Sequence, residues 1–282
     1  MPLSISQAYE IFRKMFISAD KVLVDFTLTQ ELSIEEKPDK SLVTACDEQI
    51  DRVLCKIATE HSLNIISEEG QKSLNTVQSR NYITIDPIDG TLAYLEYIKD
   101  ALKTGSISNF LKNDLGSQWD FCLLLGIVED AKPRFGGVFN YVTKEIILID
   151  SQNPDLIIRE GKARVFKGVN VMFVDQRPGG EIEDELANQP DTFSYPLASF
   201  GLRVIYTFIN NFESAVTYHV VQTVGLWDVL PGAVAAKAFS GNVYLNNGQL
   251  IEYDKYISLT GKGATAIRGE KFEFLLDKLK LS

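Results

Sequence analysis

Tyr82-Ile83-Thr84-Ile85-Asp86-Pro87-Ile88-Asp89-Gly90-Thr91 passes from a strand-like apolar run straight into two aspartates, a proline and a glycine. The run ends where the carboxylates begin, so Asp86 to Thr91 sits at a strand end. Pro87 fixes one φ and Gly90 admits an unusual one. Together they can turn Asp86 and Asp89 toward one point, with the Ile88 carbonyl between them. An Asp-Gly pair by itself makes a plain polar reverse turn; the complete hexapeptide is more specific than that.

Outward from this stretch the chain alternates helical and strand texture. Upstream, Tyr9, Phe12, Met15, Phe16, Ala19, Val22, Leu23 and Phe26 recur at helical spacing, with Ser4 or Ser6 available as cap. Ile50, Val53, Leu54, Ile57 and Ala58 repeat that spacing after Asp47, and the polar segment Glu35 to Lys40 between the two helices reads as a loop. From Ile65 the texture changes to short apolar runs: Asn64 to Ile66, Tyr82 to Ile85, Phe121 to Val128, Phe135 to Val142 and Glu145 to Ile149. Farther on come strands at Val169 to Val174, Ala215 to Val221 and Val243 to Leu245. Helices are expected from Leu202 to Ile209 and from Asp228 through Ala238, the second closed by Gly241. The chain lacks internal repeats and long low-complexity linkers, so the expectation is two interlocked α+β halves, 1–150 and 151–282.

Composition narrows the function. A chain of 282 residues with 45% hydrophobic and 23% charged residues has ample core for a packed enzyme. Its net charge of -10 has the wrong sign for a nucleic acid or a polybasic membrane anchor. Glu10, Arg13 and Lys14 interrupt the apolar residues of the first segment, which reads as neither signal peptide nor membrane span, so a cytoplasmic location is expected. Cys46, Cys55 and Cys122 are scattered without CxxC spacing, and only His61 and His219 supply imidazole. Thiolate and histidine metal sites are therefore disfavoured, whereas a hard cation held by carboxylate oxygen, magnesium above all, stays open.

Three further acidic elements stand out, each with an ordinary alternative. Glu68-Glu69 follows an apolar strand and precedes Gly70. Two unit charges about 4 Å apart cost on the order of 4 kcal/mol at an effective dielectric of 20 unless solvent or a cation offsets them. Alone, such a pair is a solvated loop. Asp228, after Trp227, falls at a helix N-terminus and is equally a helix cap; Asp47, after Thr44-Ala45-Cys46, begins a helix and can be the same.

The order of these elements carries a resemblance. Leu42-Val43-Thr44-Ala45-Cys46-Asp47, Ile66-Ser67-Glu68-Glu69, the Asp86 to Thr91 hexapeptide and Trp227-Asp228 resemble, in sequence order, the motifs of the inositol monophosphatase superfamily. This superfamily of lithium-sensitive, magnesium-dependent phosphatases includes 3′(2′),5′-bisphosphate nucleotidases and inositol polyphosphate 1-phosphatases, and the likeness runs from the first helix to about Tyr253. It implies a layered α-β-α-β-α sandwich of the inositol monophosphatase and fructose-1,6-bisphosphatase type. It implies Glu68, Asp86, the Ile88 carbonyl, Asp89 and Asp228 as Mg2+ ligands, with Asp228 also among the substrate contacts. Thr91 and Asp47, with Glu68, would position and activate the attacking water. If a helix opens there, the Gly90 and Thr91 amides would face the phosphate. A homodimer acting on a small phosphorylated metabolite is implied as well, with no nucleic acid or membrane partner.

The departures from the family bear on substrate. The stretch from residue 95 to 118, with Lys103-Thr104-Gly105-Ser106-Ile107-Ser108-Asn109 within it, is longer than in a simple monophosphatase; it is either a surface loop or a substrate lid. In Ser199-Phe200-Gly201-Leu202-Arg203 the arginine is either a binder of a second phosphate or a solvated helix residue. The glutamate that monophosphatases place before Trp-Asp is not evident, since His219-Val220-Val221-Gln222 occupies that region. The expected activity is magnesium-dependent hydrolysis of an inositol phosphate. The alternative is a nucleotidase acting on 3′-phosphoadenosine 5′-phosphate, and a non-catalytic metal- or phosphate-binding relative is the third reading.

Overall fold

A computed structural model describes residues 3–29, 34–36, 42–70, 79–104, 120–174, 185–186, 188–219, 224–251, 253 and 264–279. The chain opens with helix α1 (Ile5–Thr29), a short antiparallel pair β1 (Ile34–Glu36) and β2 (Leu42–Thr44), and helix α2 (Ala45–Glu60). Strands β3 (Ile65–Ser67) and β4 (Tyr82–Asp89) precede α3 (Thr91–Thr104). A run of strands follows: β5 (Cys122–Glu129), β6 (Lys132–Asn140), β7 (Glu145–Asp150), β8 (Ile158–Glu160), β9 (Asn170–Val174) and β10 (Thr192–Pro196). The remainder is α4 (Phe200–Ile209), β11 (Ser214–His219), α5 (Leu226–Ala238), β12 (Asn242–Leu245), β13 (Ala264–Arg268) and α6 (Phe274–Leu279).

Two sheets organise these elements. One is six-stranded in the order β3-β4-β5-β6-β7-β8, and only its β3–β4 pair is parallel. The other is five-stranded in the order β10-β9-β11-β13-β12, with β9, β10 and β11 parallel. Period-two alternation sorts the side chains of β5: Leu123, Leu125 and Ile127 join Phe12, Phe16, Ile50 and Leu54 of α1 and α2, while Cys122, Leu124 and Val128 join Leu202, Val204, Val229 and Leu230 of α4 and α5. Because helices cover both faces, β5 reads as an unbroken apolar run. Val171, Phe173, Ala215 and Ala266 close the same central core from the second sheet, and on its outer face Met172, Val216 and Ile267 meet Phe272 and Leu275 by α6. The layers are therefore α-β-α-β-α, as expected. The central apolar core draws on residues either side of 150.

α5 is buried almost all round from Leu226 to Ala236, as a helix held between two sheets must be. Gly136 and Gly137 admit helices on opposite faces of β6. A Cβ on Gly136 would lie 2.9 Å from the Pro231 carbonyl of α5, and one on Gly137 would lie 2.4 Å from the Phe12 ring of α1.

Several expectations need correcting. Ile34 to Glu36 form a strand where the polar segment Glu35 to Lys40 had read as loop; residues 37–40 lie outside the described residues. Asp47 does not begin α2: Thr44 caps it and Asp47 is the third helical residue, its carboxylate bent back to the Thr44 amide at 2.9 Å. Asp228 takes the corresponding place in α5, accepting from the Gly225 amide. Gly241 does close α5, donating to Ala236 O at 2.8 Å, but Ser240 is the residue with positive φ (56°). Ser4 and Gln7 bond reciprocally at the start of α1, which settles the cap in favour of Ser4. Of the 95–118 stretch, residues 95–104 continue α3 and 105–118 lie outside the described residues, as do Val220, Val221 and Gln222.

Candidate functional site

In a regular strand, residues three apart point to opposite faces, so Asp86 and Asp89 would diverge. A bulge prevents this. Asp86 pairs with Leu124 and Asp89 with Cys122, so β4 advances three residues while β5 advances two. The extra residue returns both aspartates to one side. Three hydrogen bonds fix the detour: the Ile88 amide donates to Asp86 Oδ1 (3.1 Å), the Tyr141 hydroxyl to the Pro87 carbonyl (2.9 Å) and Thr91 Oγ1 to the Ile88 carbonyl (3.2 Å). Gly90 leaves the turn at φ 96°, and α3 opens directly after it, with the Tyr94 amide on Gly90 O.

The other acids arrive from neighbouring elements. Glu68 follows β3, and its amide bonds Ile85 O at 3.0 Å, extending the β3–β4 ladder by one residue. Ser67, just before it, is tied by its hydroxyl to the buried Asp51 of α2. The Glu68 and Asp86 side chains are in hydrogen-bond contact. Asp228 comes from the first turn of α5, and carboxylate oxygens of Asp86, Asp89 and Asp228 lie within 4.8 Å of one another. Asp86 is buried, while Asp89 and Asp228 keep part of their surface open.

Electrostatics show the strain in this grouping. Burial pushes the Asp86 carboxyl well above the usual range, with Glu68, Asp89 and Asp228 adding to the rise. Asp228 is raised by burial and by Asp89 and Glu68, against the bond from the Gly225 amide. Asp89 is raised by burial, and the donors of α4 pull it back. Those donors are Ser199 Oγ and the Gly201 amide, both 2.6 Å from Asp89 Oδ2, and the Phe200 amide, 3.3 Å from Oδ1. Ser199 is the N-cap of α4, its oxygen accepting from the Leu202 amide at 3.0 Å. The positive end of α4 is thus aimed at Asp89.

The remaining expected residues fall into two groups. Asp47 is buried and raised to about 7, first by burial and then by Glu68 and Glu69, against hydrogen bonds from Thr44. It therefore lies within electrostatic reach of the cluster, with its carboxylate held by Thr44. Gly90 and Thr91 are partly exposed beside it at the start of α3. Arg203 is different. It is 0% exposed, so it is not a solvated helix residue; its guanidinium lies 5.5 Å from the centre of the Phe200 ring, and its charge lowers the pKa of Asp89.

Two groups escaped the sequence reading. One is Ser199, a serine before an apolar helical run and so an N-cap signal in the sequence itself. Asp120, buried just before β5, is gripped by both Arg164 Nε and Nη2 and by Asn140 Nδ2 (3.1 Å). No local pattern marks that pairing, because it joins residues 44 apart.

The donor set suits a hard divalent cation. All three converging ligand atoms are carboxylate oxygens. Magnesium would be held by hard oxygen ligands of this kind, and three of them within 4.8 Å of one another could share one ion. A cation would also offset the mutual repulsion that raises Asp86 and Asp228.

The fold has solved counterparts. An IMPase/NADP phosphatase complexed with NADP and Ca2+ superposes with TM-score 0.69 at 18% identity, over 98% of this chain and 96% of that one. A Staphylococcal inositol monophosphatase-1, soaked in LiCl as an inhibitory complex, gives TM-score 0.69 at 16% identity over 98% and 96%. An IMPase/NADP phosphatase complexed with Mg2+ and phosphate gives 0.67 at 16% identity over 96% and 94%. No curated protein sequence matches the chain. The family model described as the inositol monophosphatase family matches residues 7–279, nearly the whole length. With the ordered acidic motifs converging as that family's metal-dependent chemistry requires, the chain belongs to the inositol monophosphatase family and is a phosphoric monoester hydrolase.

Proposed function

We propose that this protein hydrolyses an inositol phosphate with Mg2+ held by Glu68, Asp86, the Ile88 carbonyl, Asp89 and Asp228. The observation that carries the reading is the convergence of the Asp86, Asp89 and Asp228 carboxylates within 4.8 Å in a chain of this family. Bound there, magnesium supplies charge neutralisation of the ester and acidifies a water molecule. The chain's own residues do the rest. Thr91 Oγ1, next to the Ile88 carbonyl, and Asp47, with Glu68 nearby, orient the attacking water. The Gly90 and Thr91 amides at the open end of α3 donate to phosphate oxygens. Asp228 also borders the alcohol portion of the substrate. Lithium inhibition, a homodimer and a cytoplasmic location belong to the same reading; among the described residues no helix is long and apolar enough to cross a membrane.

A bisphosphate nucleotide such as 3′-phosphoadenosine 5′-phosphate is the second substrate reading. A relative of the same fold holding NADP, another phosphorylated nucleotide, favours it. Arg203 lends it less support, because its guanidinium is buried beside Phe200 and its charge acts on Asp89.

The test is phosphate release from inositol 1-phosphate, inositol 1,4-bisphosphate and 3′-phosphoadenosine 5′-phosphate, each with magnesium and then with lithium added. Magnesium-dependent turnover of an inositol phosphate that lithium suppresses is the expected result. Turnover of the nucleotide alone replaces the substrate assignment, and no turnover of any of the three removes it.

A further inference from the structure

At the opposite end of the six-stranded sheet from the acidic cluster lies a cavity of about 700 Å³, the size of a small-molecule site. β4 runs from Tyr82, in the wall of this cavity, to Asp89, a span of about 23 Å at 3.3 Å per residue. α5 likewise runs from Asp228 in its first turn to Lys237 at the cavity.

The two ends have opposite chemistry. Lys132 and Arg134 from β6, Lys237 from α5 and His61 from the end of α2 all line the cavity. Its two acids already have partners. Glu129 meets Arg134 Nε at 3.5 Å and accepts from the Leu3 amide at 2.7 Å, and Asp130 meets Arg80 at 2.9 Å. Lys132 and Lys237, both exposed, make no ion pair among the described residues; the Lys237 amine has only a 3.4 Å contact with the Pro133 carbonyl. Burial, Lys132 and Arg134 all push the Lys237 pKa down, so the like charges are close enough to repel. Leu3 and Leu63 give the same cavity an apolar wall. Gathering unneutralised lysines is notable in a chain of net charge -10.

The geometry points to a second ligand site in this cavity, one that takes a small phosphorylated metabolite with its anionic group between Lys132 and Lys237 and its body against Leu3 and Leu63. A dianion there offsets the lysine repulsion, and His61 supplies a further donor beside it, while Arg134 stays paired with Glu129 and Asp150. The length of β4 and of α5 separates the cavity from the acidic cluster, so this is a binding site apart from the one that holds the substrate.

The experiment exploits the opposite sign of the two sites. With chelator present and no divalent metal, the acidic cluster repels anions, so inorganic phosphate reports the lysine cavity whether or not the catalytic assignment holds. Thermal unfolding is followed in phosphate against chloride at matched ionic strength. A rise of about 3 °C is expected at phosphate some tenfold above its dissociation constant. The rise should vanish in the Lys132→Gln/Lys237→Gln double variant, which should retain metal-dependent turnover without phosphate. If that variant fails to unfold cooperatively, Lys237→Gln alone serves for the comparison. No phosphate-specific rise in the wild type, or an equal rise in the variant, overturns the proposal.

Discussion

Asp89 carries two demands at once. It faces Asp86 and Asp228, and it accepts from Ser199, Phe200 and Gly201. Asp89→Asn preserves shape but puts an amide NH₂ where a donor now points or where a cation would sit. Turnover in saturating magnesium should fall at least about 100-fold while the chelated protein stays folded at the assay temperature, a result read from initial rates and circular dichroism. Asp47 gives a prediction about stability. Its folded-state pKa of about 7 exceeds that of an unfolded aspartate, so the folded chain holds an extra proton between about pH 4 and pH 7. Its contribution is full below pH 4 and is lost as pH rises through 7. In chelator, Asp47→Asn should therefore flatten the decline of stability over that window, by up to about 4 kcal/mol, since the amide oxygen can still accept from Thr44. Equal pH slopes in urea melts of the two proteins would remove Asp47 as the source. Asp86, Asp89 and Asp228 were legible as candidates because acids at strand ends and helix starts are local patterns. The burial of Arg203 was not, because it depends on how α4 packs between the two sheets.

Elements explain what a residue list cannot. The bulge in β4 brings two aspartates onto one face, and Pro87 with Gly90 announced a special turn without revealing the extra residue opposite β5. Most of the longer strands and helices were readable from periodicity, but α3 was expected only through the family resemblance, and its residues 95–104 fall in the stretch read as a loop or lid. β1, β2, β8, β10, β13 and α6 were not readable: the strands among them have three to five residues and α6 has six, too few for a period to declare itself. Two changes probe this level. Ser199→Ala removes the cap of α4 together with a donor to Asp89, and should cost about 1 to 3 kcal/mol in denaturant melts while weakening magnesium binding in calorimetry. Gly136→Ala puts a methyl group 2.9 Å from a backbone oxygen of α5, which cannot swing aside as a side chain could. A loss of about 1 to 3 kcal/mol is expected, and an unchanged midpoint would mean that α5 stands farther from β6 than described.

For the molecule as a whole, the layered order was legible from the motif resemblance and the alternation of helices and strands, whereas the shared central core was not. No sequence signal says that residues before and after 150 line one apolar interior. Metal binding acts at this scale. Magnesium at about 100 times its dissociation constant should add about 2.7 kcal/mol, or roughly 5 °C in melting temperature for a chain of this size. A scan with and without chelator checks this, and an unmoved transition would count against a cation among Asp86, Asp89 and Asp228. The acidic cluster also has an order in time. Asp86 and Asp89 leave the ribosome more than a hundred residues ahead of Ser199 and Asp228. A chain that ends before α5 lacks Asp228 and cannot assemble the three-carboxylate cluster, whatever its earlier elements have folded into.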